Sequence, residues 1–152
     1  MARFVFSLEQ LLQQRRRQEQ QAQRALADCQ SAAAGQQAAL ERLGADLASA
    51  RDSLRGELTG AVNVAYLSIH QQYTLDAATR TAELNQRLAA AQRQVREAEA
   101  ALIHAAKQRR VVEVLREKQL ADWRARQSRR DQAEADEVAM QMGLPGPAAA
   151  NG

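Results

Sequence analysis

Apolar residues recur with a seven-residue period through the first third of the chain. With Leu12 at heptad position a, six of the seven successive a positions are apolar, and Glu19 is the exception. The d positions are less regular, because Arg15 and Gln36 fall among them. A heptad repeat sustained over more than three or four heptads is typical of a coiled coil. The pattern therefore predicts a long helix over about residues 7–55.

Two glycines four residues apart, Gly56 and Gly60, interrupt this repeat. Thr59 and Asn63 lie in the same stretch, and both residue types can cap a helix end. Glycine is also the commonest residue just beyond the last turn of a helix. These signals predict a corner over about residues 56–63.

A second apolar repeat follows the corner and predicts a helix over about residues 64–142. Between Val111 and Leu115 its apolar stripe widens, which indicates a stutter or a change of packing partner. Residues 143–152 contain both prolines of the chain and are predicted to form a flexible tail.

Two long helices joined by a short corner run antiparallel. We therefore predict an all-α fold, a long two-helix antiparallel coiled-coil hairpin that forms a single domain over residues 1–142. If the corner is centred near Thr59, the numbers of facing residues add up to about 119. On this rule Phe4 and Phe6 face residues 112–115, where they are expected to form an apolar cluster.

The same rule leaves the C-terminal helix without a partner after about Glu117. This overhanging helix is expected to expose apolar side chains, and exposed apolar patches often mark interaction sites. The apolar residues concerned are Leu120, Trp123, Val138, Met140 and Met142.

Patterns that would indicate catalysis, a cofactor or a metal are missing from the sequence. Cys29 is the single cysteine, and the two histidines are 34 positions apart. No glycine-rich phosphate loop is present. Neither a secretion signal nor an apolar run long enough to span a bilayer is seen. We therefore expect a cytoplasmic protein that is not an enzyme and holds no cofactor.

Basic residues are concentrated toward one end of the predicted hairpin. The chain has a formal net charge of +3, yet residues 107–130 alone carry a net charge of +6. Arg15, Arg16 and Arg17 are expected to lie close to the beginning of that stretch. The basic residues form either a solvated helical face or a surface that docks onto an acidic protein. Nucleic-acid binding is disfavoured, because the basic stretch lacks a series of interleaved aromatic residues on which bases could stack.

Apolar and aromatic residues also cluster just after the corner. Tyr66 and Tyr73, the two tyrosines of the chain, lie there together with Leu67, Ile69 and Leu75. They either cap the end of the seam or form a partner-binding patch at the tip, since tyrosine is favoured at interfaces.

Three stretches of the sequence resemble the FliJ family, the coiled-coil stalk of the flagellar type III export ATPase. The first is the aromatic and basic opening from Phe4 to Arg17, and the second is Tyr66-Leu67 after the corner. The third runs from Val114 to Ala139 and includes Trp123-Arg124. The resemblance implies a stalk that docks into the hexameric export ATPase, promotes its assembly and activity, and links it to the membrane export gate.

The resemblance also implies which residues contact each partner. The ATPase-binding candidates are Phe4, Phe6, Arg15, Arg16, Arg124, Arg126, Arg129 and Arg130. The candidates for binding the cytoplasmic domain of the export gate are Tyr66, Gln72, Tyr73 and Asp76. Export chaperones are further candidate partners, and membrane association is expected to be peripheral, through these proteins, at the cytoplasmic face of the inner membrane.

Two alternatives remain open from the sequence. One is the equivalent stalk of a virulence-type secretion system, which shares this architecture. The other, from a different functional class, is a basic coiled-coil protein that binds nucleic acid. The sequence also leaves open whether the chain is a monomer or a dimer.

Overall fold

The computed structural model describes residues 2–143, which form two long helices and contain no strand. Helix α1 comprises Glu9–Glu57, and helix α2 comprises Val64–Gln141. The two helices pack against each other in opposite directions, which confirms the predicted all-α helical hairpin. The predicted tail lies outside the described residues from position 144 onward.

The face of α1 that packs against α2 is the one given by the heptad frame. All a and d positions from Leu12 to Leu54 are buried or half-buried. The polar residues at these positions, Arg15, Glu19 and Gln36, are half-buried as well. Most of these positions are only half-buried, because a single partner helix covers one side of a seam and leaves its edges in water.

The described chain divides into two compact units, of which the first contains the residues up to Arg17 and those from Ala106 onward. Its core is a cluster of Phe6, Leu12 and Val112, with Phe4 packed against it. The prediction that Phe6 meets Val112 is therefore confirmed. Leu12 is fully buried, so this cluster holds the beginning of α1 against α2.

The second unit comprises Gln18–Ala105 and contains the corner. Its most buried residues on α2 are Ala77, Ala91 and Ala105, so its seam is built from small side chains. Small residues allow helices to approach closely but bury little apolar area per layer. At the corner the Asn63 side-chain oxygen accepts a hydrogen bond of 3.0 Å from the backbone N–H of Ala65, which caps the beginning of α2.

The register of the hairpin differs from the predicted one. Glu9 bonds to Arg116, six positions beyond residue 110, which the rule gives as its partner. Arg15 likewise bonds to Gln108, four positions beyond residue 104. Part of the reason is that α1 continues through Gly56 to Glu57, so the corner is centred about one position later than predicted and the sum of facing residue numbers rises by about two. In addition, a long arginine side chain can contact a partner about one helical turn away from the position directly opposite it.

This shift also moves the beginning of the overhang. Leu120 and Trp123 were predicted to be uncovered apolar residues of the overhang, and this prediction is wrong: both are half-buried. Trp123 is covered by Phe4. An overhang nevertheless exists, because every residue from 128 to 138 is exposed. Met140 and Met142 are 75% and 71% exposed, which agrees with the predicted unpartnered end.

The apolar widening around Val111 is not a stutter. The residues of α2 that face α1 in the first unit are Arg109, Val112, Arg116, Gln119 and Trp123, with an unbroken alternation of three and four positions. Val111 and Leu115 instead lie on exposed sides of the helix, with exposures of 70% and 37%. The additional apolar residues therefore belong to a different surface of α2.

Helix α2 ends in a turn whose last described residue, Gly143, has a φ of 71°. This left-handed conformation is costly for residues with a Cβ atom, and glycine commonly adopts it at the end of a helix. Within residues 2–143 neither helix contains a stretch apolar enough to cross a bilayer.

Candidate functional site

Four of the predicted ATPase-binding residues lie within seven consecutive residues of α2 in the first unit, on more than one side of the helix. Arg124, Arg126, Arg129 and Arg130 are all exposed. Arg129 donates a weak hydrogen bond of 3.4 Å from Nε to the carbonyl oxygen of Ala125, one turn earlier on the same helix. Guanidinium groups held on a rigid helix and surrounded by water can form bidentate contacts with carboxylates of a partner. This basic surface, formed by these four arginines, is therefore suited to docking.

The other four ATPase-binding candidates contact residues of their own chain, although Arg16 remains exposed. Phe6 is 6% exposed, and Phe4 packs against the core cluster. Arg15 donates a hydrogen bond of 2.9 Å from Nη1 to the side-chain oxygen of Gln108. Arg16 lies 3.7 Å from the carboxylate of Glu113. The primary interactions of these residues hold the N-terminal segment against α2, and little of Phe6 remains for a partner to contact.

Glu113 is the acidic centre of this arrangement. Arg109 donates a hydrogen bond of 2.6 Å to its carboxylate, and Arg110 approaches within 3.6 Å. The hydrogen bond from Arg109 is the main cause that lowers the pKa of Glu113 below its ordinary value of 4.5. Partial burial opposes this shift, while the charges of Arg109 and Arg16 add to it. One carboxylate thus neutralises basic residues from both helices.

A second ion pair reinforces the same contact between α1 and α2. Nε of Arg116 lies 3.2 Å from the carboxylate of Glu9, in the first turn of α1. Both side chains are more than two-fifths exposed, so the pair contributes little alone. It places a negative charge at the N-terminus of α1, where the helix dipole favours it.

The predicted gate-binding residues lie at the beginning of α2 in the second unit. Tyr66 is half-buried, and Tyr73 is 36% exposed. Both line a shallow, open groove together with Ser53 and His70. Gln72 and Asp76 are exposed, and the Gln72 amide donates a hydrogen bond of 3.2 Å to the Asp76 carboxylate. The structure therefore places two amphipathic rings beside a polar pair on neighbouring stripes of one helix.

Two more residues of this region belong to the candidate surface although the resemblance did not point to them. Ile69 is 69% exposed and Leu75 is 58% exposed, so both are more accessible than Tyr66. Large apolar side chains exposed next to tyrosines are common features of protein interfaces. The sequence contained the signal, since both residues belong to the apolar cluster after the corner.

The described residues give no support for a metal centre. Within residues 2–143 no group of three or more His, Cys, Asp and Glu side chains is arranged to hold an ion. Cys29 is half-buried at a d position of α1, where a small apolar side chain is expected. The accessible features of the molecule are therefore helical surfaces.

Comparison with models of protein families identifies the family of this chain. The model of the flagellar FliJ protein family matches residues 4–144. Searches of curated proteins and of solved structures give no match. The matched range includes both helices, the basic surface and the tyrosines after the corner, and it confirms the resemblance seen in the sequence. The chain therefore belongs to the flagellar FliJ protein family, the coiled-coil stalk proteins of flagellar type III export.

Proposed function

We propose that this chain docks into the hexameric export ATPase through its basic surface, promotes assembly and activity of the ring, and links it to the membrane export gate. The observation that carries the proposal is the exposure of Arg124, Arg126, Arg129 and Arg130 on one helix in a member of this family. Their positive charge suits an acidic partner surface, and steering by such charges speeds association.

In this proposal the N-terminal candidates have a supporting role. Phe4, Phe6, Arg15 and Arg16 fix the N-terminal segment on α2 through the contacts described above. A rigid helix that presents its arginines without rearrangement loses less entropy on binding than a mobile one. The N-terminal residues therefore act by keeping the docking helix in its conformation.

The corner region is proposed to contact the cytoplasmic domain of the export gate. Tyr66, Tyr73, Gln72 and Asp76 supply aromatic area and polar groups, and Ile69 adds exposed apolar surface. Such a mixture suits a protein partner better than a small ligand, since the groove they line is shallow and open. Export chaperones are proposed as further partners. The chain is proposed to reach the cytoplasmic face of the inner membrane only through these proteins.

Charge reversal tests the ATPase contact directly. The variant carrying Arg124→Glu, Arg126→Glu, Arg129→Glu and Arg130→Glu should lose most of its stimulation of the purified ATPase and of ring assembly. These positions are exposed, so the helical content should stay unchanged. ATP hydrolysis and sedimentation of the ring are measured with increasing amounts of each chain.

A matched control reverses four exposed arginines of the second unit. Arg80, Arg87, Arg93 and Arg96 change the net charge by the same amount when replaced by glutamate. The proposal expects the control variant to stimulate the ATPase nearly as well as the unaltered chain. Equal loss in both variants would mean that only net charge matters, and full stimulation by the first variant would refute the docking surface.

A further inference from the structure

Helix α2 carries a second heptad repeat on the face opposite to α1. Where α1 covers α2, each of its positions follows an α1-facing position by two residues: Val111 follows Arg109, Val114 follows Val112 and Lys118 follows Arg116. Two residues correspond to a rotation of about 200° around an α-helix. We call this row the second seam, and it consists of Lys107, Val111, Val114, Lys118, Ala121, Ala125, Ser128, Gln132, Ala135, Ala139 and Met142.

The second seam has the composition of a coiled-coil seam but lacks a partner helix in its own chain. Only Lys107 and Lys118 among its members are charged, and both can extend their ammonium groups to the edge of a seam. Val111 and Met142 are 70% and 71% exposed. Apolar side chains form a shallow groove near each end, one around Val114 and the other around Val138. A row in which seven of eleven positions are apolar is expected to be covered by another helix.

Charges beside the seam exclude a parallel pairing of two copies. In a parallel coiled coil the residue before an a position lies near the residue five positions later in the partner. The a positions concerned are Lys118, Ala125 and Gln132. Here this places Glu117 near Asp122 of the other copy, Arg124 near Arg129, and Asp131 near Asp136. All three pairs carry like charges, and like charges placed side by side destabilise a pair.

An antiparallel pairing places opposite charges next to each other instead of like charges. When Val111 lies opposite Met142 of the other copy, Val114 lies opposite Ala139 and Ala121 opposite Gln132. The flanking charges then fall into opposite pairs, Arg124 with Asp131 and Asp122 with Arg129. By two-fold symmetry each pair occurs twice, and such an interface closes on itself without forming a filament.

We propose that the second seam is the interface of an antiparallel homodimer formed by the α2 helices of two copies. The occupant is a second copy because ten positions of the seam, from Val111 to Met142, supply both halves of the interface, and their neighbours supply both signs of the flanking charges. Within residues 2–143, Asp122, Arg124 and Asp131 have no ion pair inside their own chain, so all three are available to the other copy. Since Arg124 and Arg129 also belong to the basic surface, pairing and docking into the ATPase exclude each other.

Site-specific crosslinking tests the register. In a Cys29→Ser background, the double variant Ala121→Cys with Gln132→Cys should form disulfide-linked dimers under mild oxidation. Each single variant alone should give almost none, because in the proposed dimer residue 121 lies opposite residue 132 and not opposite itself. An equimolar mixture of the two single variants should again give dimers. Efficient crosslinking of the Ala121→Cys variant alone would indicate a parallel dimer and would refute the proposal.

Sedimentation equilibrium tests the interface without any crosslink. The unaltered chain should approach twice its mass of 16.8 kDa at micromolar concentration. Val111→Asp should return it to the single-chain mass, since it buries a carboxylate in the seam. Arg124→Asp and Asp131→Arg should each weaken the dimer about tenfold or more, and their combination should restore it.

Circular dichroism provides the control for folding in this series. Val111, Arg124 and Asp131 are exposed in the single chain, so none of these variants should lose helical content. A single-chain mass for the unaltered protein throughout the micromolar range would overturn the proposal, and the second seam would then belong to a different partner. The same holds if the charge-swapped double variant stays as weak as its single variants.

Discussion

The Phe4 ring packs against the Trp123 ring of α2, with the ring centroids 6.0 Å apart and the ring planes inclined by 58°. Tilted aromatic pairs at this separation are favourable beyond the area that they bury. Phe4 precedes α1, so this contact extends the packing of the first unit beyond the end of the helix itself. It therefore determines where the covered part of α2 ends and the exposed part begins.

Trp123→Ala should release the N-terminal segment. We expect a loss of about 1–2 kcal/mol in the free energy of unfolding, because Trp123 is half-buried and loses its aromatic partner. Amide hydrogen exchange should become faster around Phe4 and Phe6 and remain unchanged around the corner. Trp123→Phe is the matched control, since it keeps an aromatic ring. Unchanged exchange in the alanine variant would show that Phe4 does not depend on Trp123.

Leu12→Ala should be the most destabilising truncation in the leucine row of α1. Leu12 is fully buried, whereas Leu26, Leu40 and Leu47 are half-buried. Removing a fully buried leucine side chain costs about 2–4 kcal/mol, through lost transfer energy and the remaining cavity. Urea unfolding followed by circular dichroism measures the loss.

Leu8→Ala is the control for this truncation. Leu8 is 36% exposed and should cost about 1 kcal/mol or less, although it removes the same atoms. A loss as large as that of Leu12→Ala would contradict the assignment of the core to Phe6, Leu12 and Val112.

The helical faces could be predicted from the sequence, but the register could not. The heptad period alone decides which side of α1 is covered, so even Arg15 and Gln36 were placed correctly on the covered face. The register depends partly on where the corner begins and partly on how far long side chains reach along the partner helix. A helix tolerates an isolated glycine at a cost of about 1 kcal/mol, and α1 accordingly continues through Gly56. Composition does not show which of two glycines ends the helix.

The sequence predicted which residue types form the candidate site, but it did not predict which of them contact their own chain and which remain available to a partner. The sequence identified arginines at both ends of the chain as candidates of one kind. Only the structure shows that Arg15 and Arg16 interact with Gln108 and Glu113 of the other helix, whereas Arg126 and Arg130 lie on the part of α2 beyond Trp123. The difference arises from the position of Glu113 on α2, which depends on the register.

Asn63→Ala should weaken the beginning of α2 without affecting the first unit. The Asn63 side chain accepts a hydrogen bond from the Ala65 N–H, and loss of such a cap costs about 1 kcal/mol. Hydrogen exchange should become faster in the first turn of α2, near Ala65 and Tyr66. Asn63→Asp keeps the acceptor and is the control, so equal exchange in both variants would contradict the cap.

Glu113→Gln should lower the free energy of unfolding at neutral pH and make this free energy less dependent on pH in the acidic range. The folded state holds the pKa of Glu113 below 4.5, mainly through the hydrogen bond from Arg109. The unfolded chain therefore binds this proton at a higher pH than the folded chain does. The stabilisation is complete above pH 4.5 and is lost as the pH falls through the lowered pKa of the folded state.

Urea unfolding of both chains at pH 7 and at about pH 3 measures this difference. The unaltered chain should be more stable at pH 7, and the difference in unfolding free energy between the two chains should narrow as the pH falls and the Glu113 carboxylate takes up its proton. Glu137→Gln is the control, since Glu137 is exposed on α2 and has no ion pair among the described residues. A difference in unfolding free energy of the same size at both pH values would mean that Glu113 acts through its shape and not through its charge.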